Sequence, residues 1–122
     1  MRRSTMTALG IAALLSSAAA GPAFAGYGAL AHDDSSGKYG LSANEETQSK
    51  ADDVAMKICG DKCKVVFRTV AKECGAIATA ESGNAWGAGK HRDRARAELA
   101  SIQNCQKRTK GQCKLRGAEC NR

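Results

Sequence analysis

The sequence predicts an α+β domain made of two β-hairpin–helix–strand units, closed as one small body by three disulfides. Three observations carry that prediction. Tyr27-Gly28-Ala29-Leu30-Ala31 is echoed by Cys74-Gly75-Ala76-Ile77-Ala78, and each stretch is followed by a polar turn, an aromatic-Gly pair, a helical pattern and cysteines. Apolar spacing switches between short runs and helical periodicity in the same order in both halves. All six cysteines fall after an export-type leader, an even number that reads as a disulfide framework.

The leader is read first because it bounds the working chain. Arg2 and Arg3 give a positive start, Met6 to Ala20 is an apolar run, and Pro22 precedes the small-x-small site Ala23-Phe24-Ala25. The expected cut follows Ala25. The run is about 15 residues, short of the roughly 20 that a spanning helix needs. Residue 26 is Gly rather than Cys, which gives no signal for lipidation. Residues 1–25 are therefore expected to be a signal peptide. Residues 26–122 form one domain with repeats at about 27–73 and 74–120, and the protein is expected to be exported, periplasmic or extracellular.

The first unit opens with the apolar stretch at Tyr27. His32 to Gly37 is a polar turn, and Tyr39-Gly40-Leu41 returns as the second arm of a hairpin. Ser42 followed by Glu45 has capping-box spacing, which predicts a helix starting there and running to Cys59. Ala51, Val54, Ala55 and Ile58 would form its apolar face, and Gly60 its C-cap. Lys64 to Val70 is β-branched and apolar, a strand. In the second unit Cys74 to Thr79 is the first strand, Ala80 to Ala85 the turn and Trp86-Gly87-Ala88 the return. A helix from roughly Arg92 to Gln106 would present Ala95, Leu99, Ile102 and Cys105. Its basic first turn opposes the helix dipole. Lys114 to Gly117 is a shorter, more polar version of the first unit's last strand.

This pattern resembles the exported bacterial domain-of-unknown-function family numbered 4189, over Tyr27 to Cys120. The residues that carry the likeness are Tyr-Gly-Ala-Leu-Ala, a helix ending in Cys, a Cys-Lys-Val-Val strand, a Cys-Gly-Ala-Ile-Ala restart and a final Cys. The resemblance implies a signal peptide, an α+β disulfide-bonded domain and no agreed catalytic residues.

Six cysteines allow fifteen pairings, and the repeat narrows them. Cys59 and Cys63 occupy the helix end and strand start of the first unit, and Cys105 and Cys113 the same places in the second. Local bridges Cys59–Cys63 and Cys105–Cys113 leave Cys74 for Cys120. On the chain-entropy model the long loop contributes roughly 4 kcal/mol and each short one about 2 kcal/mol.

Charge is uneven. Gly26 to Glu73 holds seven Lys/Arg against eight Asp/Glu, a net of −1, whereas Cys74 to Arg122 holds ten against four, a net of +6. Lys90, Arg92, Arg94, Arg96, Lys107, Arg108 and Lys110 are the candidate binding residues, because such clusters hold anionic polymers or acidic partners by releasing counterions. Nucleic acid is the less expected target outside the cytoplasm, and no aromatic interleaving supports base stacking. A solvated basic face is the plain alternative.

No residue set reads as catalytic, as metal ligands or as a cofactor site. His32 and His91 lack a second ligand at short spacing, and bridged cysteines offer no thiolate. Ser35, His32 and Asp33 are neighbours in one turn rather than a triad held on a scaffold. Asp33-Asp34 and Asp52-Asp53 suit a solvated surface, and Trp86-Gly87-Ala88-Gly89-Lys90 lacks the length of a phosphate loop. The expectation is a monomeric, non-enzymatic binding domain of the envelope or secretome. A small inhibitor or effector acting on another protein is the rival, and an envelope hydrolase the lesser one.

Overall fold

The structure is a computed structural model and describes residues 26–122; the expected signal peptide lies outside the described residues. The first unit holds β1 (Tyr27–His32), β2 (Tyr39–Glu45), α1 (Gln48–Cys59) and β3 (Lys64–Thr69). The second holds β4 (Cys74–Ala80), β5 (Trp86–His91), α2 (Arg94–Gln106) and β6 (Cys113–Cys120). Each unit folds its strands into an antiparallel three-stranded sheet, ordered β2-β1-β3 and β5-β4-β6. The architecture is α+β with a β–β–α–β unit written twice, as the repeat predicts.

Four layers result. The helix α1 packs on β1 and β2, α2 packs on β4 and β5, and the sheets meet with β2 against β6 and β1 against β4. The central strands are therefore covered on both faces. In β1, Ala29 and Ala31 join Ala51, Ala55 and Cys59 beneath α1. Side-chain alternation turns Leu30 to the opposite face, toward the other sheet. Ala76 and Ala97, and further along Ala78 and Cys105, repeat this beneath α2, while Ile77 turns inward. Leu30 and Ile77 are fully buried, worth about 1.5–3 kcal/mol each.

Small residues set the spacing. A Cβ added to Gly40 would collide with the Ala55 carbonyl oxygen, one on Gly87 with the Cys105 amide, and one on Gly89 with the Ala97 carbonyl oxygen. The helices rest on strand backbone at these points, which is why glycine follows each aromatic of the repeat. Ser42 stands where the second unit has Gly89, and its hydroxyl donates to the Ala51 carbonyl at 2.7 Å.

Several sequence expectations need correction. Ser42 does not cap α1, because β2 continues through it to Glu45 and pairs with β1. Thr47 caps instead, its hydroxyl accepting from the Lys50 amide at 3.0 Å. The helix faces are turned as well. Ala51, Ala55 and Cys59 are buried while Ile58 is 59% exposed, and Ala97, Ser101 and Cys105 are buried while Leu99 is 54% exposed. The cause is the glycine strand beneath, which admits small side chains and leaves no room for large ones. The strand β5 runs on to His91, so α2 begins at Arg94 with Asp93 as its cap. Asp93 accepts from the Ala95 amide at 2.9 Å, placing negative charge at the helix start. Finally β6, expected to be short, is the longest strand at 8 residues, because it pairs along β4 from Cys113 to Cys120.

Cys59 bonds to Cys63, Cys105 to Cys113 and Cys74 to Cys120, the three pairs that repeat symmetry singles out. The long bridge joins residues directly opposite one another on β4 and β6.

Replacing Gly87 with Ala should lower stability by about 1–3 kcal/mol or more, because the helix backbone must move to admit the methyl. Leu99→Ala, on the exposed side of α2, should stay within about 0.5 kcal/mol of wild type. Urea unfolding of the oxidised proteins measures both, and equal midpoints for the two would refute the close-approach account.

Candidate functional site: a basic groove between the two units

Lys90, Arg92, Arg94, Arg96, Lys107, Arg108 and Lys110 are all exposed, but they do not form one stripe. Lys90 lies near the end of β5, Arg92 in the connection before α2, and Arg94 and Arg96 in the first turn of α2. Lys107, Arg108 and Lys110 follow the last residue of α2. Arg92 lies outside the helix expected to begin with it, because α2 starts two residues later at Arg94. Arg94 is already engaged: its Nε lies 3.1 Å from Glu98 Oε2 and its Nη2 donates to the Ala118 carbonyl at 3.2 Å.

Three of the seven converge elsewhere. Lys107 and Arg108 border a groove of about 320 Å³ together with Val66, Phe67, Trp86, Ala88 and Asn104. Lys90 reaches it from β5, with Nζ 5.7 Å from the centre of the Phe67 ring and donating to the Arg68 carbonyl at 3.1 Å. The Arg108 guanidinium lies 5.1 Å from the Trp86 ring centre. Cations over aromatic rings at exposed sites gain about 0.5–1 kcal/mol. No acidic residue lines the groove. Its chemistry is an apolar, aromatic floor under a cationic rim.

The groove exists because the two units differ. By register, Leu30 lies between Leu41 and Phe67, and Ile77 between Ala88 and Gly117. At the β2–β6 side the large Leu41 covers Gly117, where an added Cβ would come within 3.3 Å of Leu41 Cδ1. At the β3–β5 side the small Ala88 shares the groove with Phe67. The loop after each helix differs too. The local disulfide spans 4 residues in the first unit and 8 in the second, so the second loop is longer by four. That longer loop supplies Lys107, Arg108 and Lys110. Gln106 holds it, donating to the Gly111 carbonyl at 2.8 Å and accepting from the Cys113 amide at 2.9 Å.

The tip of the first hairpin approaches from the other side of Trp86's surroundings. His32 is buried and stacks on Trp86 with ring centres 4.0 Å apart. His32 Nδ1 lies 3.0 Å from Asp34 Oδ1, and the same oxygen accepts from Trp86 Nε1 at 3.0 Å. A carboxylate oxygen accepts, which assigns the ring proton to Nδ1; His32 Nε2 has no hydrogen-bond partner among the described residues. Asp33 accepts from the Ser36 hydroxyl at 2.7 Å and from the Ser35 hydroxyl at 2.8 Å and amide at 2.9 Å. These hydrogen bonds, that of Ser36 first, hold the Asp33 carboxyl down at about 2.

Sequence reasoning found the cations and missed the floor. The matched positions Tyr39/Trp86 and Leu41/Ala88 were the available signal, since a large-to-small change in one copy of a repeat leaves a space.

Two β–β–α–β units in one sandwich, with a local disulfide in each and a long one across the second, define a small disulfide-bonded α+β repeat domain without a free thiol. The chain belongs to the family described as "Domain of unknown function (DUF4189)", whose model matches residues 27–120. It is similar to the NMR structure of Rv1813c from Mycobacterium tuberculosis, with 27% identity and a TM-score of 0.62 over 96% of each chain. No curated protein matches the chain.

Asp33 ties the hairpin tip through its ionised form. Because its folded pKa lies below the ordinary 3.8, its contribution is complete above that value and is lost as pH falls through about 2. Asp33→Asn should therefore lower the urea midpoint at neutral pH, and the gap to wild type should narrow as pH falls toward 2. A gap that stays constant with pH would show that the ionised carboxylate is not what holds the turn.

Proposed function

We propose that the protein works outside the cytoplasm, in the periplasm or secretome, as a monomeric, non-enzymatic binding domain. Its target is an anionic partner, an envelope polymer or an acidic protein, engaged through the basic second half. The observation that carries this reading is a groove lined by Lys107 and Arg108, with Lys90 over its Phe67 floor and no acidic residue in its lining among the described residues. Three disulfides in so small a domain fit an oxidising compartment. The second half's excess of positive charge adds long-range attraction for a polyanion.

The groups that rival readings would need are engaged otherwise. All six cysteines are bridged. The Ser35 and Ser36 hydroxyls donate to Asp33 rather than to His32. Asp52 is held by Arg68, whose Nη2 lies 2.8 Å from it. The hairpin tip that an inhibitor would project is drawn onto the second unit through Asp34 and Trp86.

On a heparin matrix the oxidised protein should be retained at low salt and released as ionic strength rises. A Lys90→Gln, Lys107→Gln, Arg108→Gln triple variant should elute at clearly lower salt. Arg92→Gln, Arg94→Gln, Arg96→Gln should shift elution less, because Arg94 already serves Glu98 and Ala118. Equal elution of wild type and both triple variants would leave the basic face as solvated surface.

A further inference from the structure

The groove lies beside a free sheet edge. In the order β2-β1-β3, β3 has a neighbour on one side only among the described residues. The groove's floor begins on that strand, with Val66 and Phe67, and Lys107 and Arg108 face it from beyond the end of α2, while Lys90 of β5 lies over the Phe67 ring. One outward group of the edge, the Arg68 carbonyl, already takes a donor from Lys90. Val66 is exposed at 40%, an apolar side chain on an open edge that charge does not fully blunt.

We infer that this groove takes an extended acidic peptide, which adds as a further strand to the outer edge of β3. The inference rests on the binding reading above and names the class of partner. An extended chain turns alternate side chains to opposite faces. Only one alternate set of a strand on this edge faces the second unit, and in that set an apolar residue would meet Phe67 and Ala88 while acidic residues two positions away would meet Lys90, Lys107 and Arg108. Main-chain hydrogen bonds to the edge supply affinity in this mode, and pockets for alternate side chains supply selectivity. Charge complementarity selects the acidic peptide: the rim is wholly cationic and the floor wholly apolar apart from Asn104, whose Nδ2 is already donated to the Ala88 carbonyl at 2.7 Å. A uniformly charged polymer would use the rim and leave both the floor and the open edge idle.

The test uses the oxidised protein and a blocked six-residue peptide, matched in length to β3, whose groove-facing alternate positions are glutamate, leucine and glutamate and whose other positions are threonine. Trp86, the sole tryptophan of the chain, borders the groove and reports occupancy by its emission. The peptide should give a saturable change in Trp86 emission and slow amide exchange along Val66 to Arg68. Methylating alternate peptide nitrogens, or the double change Lys107→Glu with Arg108→Glu in the protein, should each weaken binding at least tenfold. Equal binding by the methylated peptide would overturn strand addition. Heparin retention without any peptide response, or a Trp86 response only to phosphatidylglycerol vesicles, would overturn the peptide and leave an anionic polymer or a lipid surface as the target. Loss of heparin retention and peptide response together would remove the binding reading itself.

Discussion

Helix backbone resting directly on strand backbone is the contact from which the rest of the molecule follows. Gly40, Gly87 and Gly89 have no side chain because α1 and α2 occupy that space. Such an approach restricts the helix underside to Ala51, Ala55 and Cys59 in one unit and Ala97, Ser101 and Cys105 in the other. A core built from residues of that size buries little apolar area per residue. Among the described residues, only Leu30 and Ile77 of the large aliphatic side chains are fully buried. Cross-links then carry weight that larger cores obtain from leucine and phenylalanine. The cysteines at the helix ends serve both purposes, filling the last position of the small-residue stripe and bonding to the strand that follows.

The second theme is complementarity by difference. Two identical sheets facing each other would place equal residues in conflict or leave equal gaps. Here Leu41 faces Gly117 and Phe67 faces Ala88, so large meets small at both ends of the interface. The fit is closer at the first end, where Tyr39 also donates to the Arg116 carbonyl at 3.2 Å. At the second end the aromatic floor stays partly open, and the lengthened loop after α2 surrounds it with cations. Duplication thus supplies the frame, and a few departures from it supply a concave surface whose charged lining is wholly cationic.

Much of this frame was legible in the sequence. The echo of Tyr27 to Ala31 in Cys74 to Ala78 gave the two units, their order of elements and a pairing of cysteines. The errors share one cause. Apolar periodicity assumes that a helix buries its largest side chains, which would put Ile58 and Leu99 in the core. A glycine-floored helix inverts that preference and buries alanine. Ser42 and Glu45 spell a cap equally well whether or not the preceding strand stops in time, and only pairing with β1 decides it. The groove was not legible because its floor is drawn from β3 and β5, which lie about 20 residues apart and meet only when the sheets stack. The cations could be listed from the sequence, but Arg94 could not be told from Lys107 without the partners each one meets.

Asn121 binds the end of the second unit to the first. It is buried, its Nδ2 donates to Thr69 Oγ1 and the Val70 carbonyl, and its Oδ1 accepts from the Asn44 amide. Asn44 itself sits at a φ of 60° and accepts from the Arg122 amide. Asn121 thus ties together the ends of β2 and β3, the two outer strands of the first sheet. What duplication began as two separable pieces, these bonds join: the outer strands of the first unit take their last hydrogen-bond partners from the end of the second.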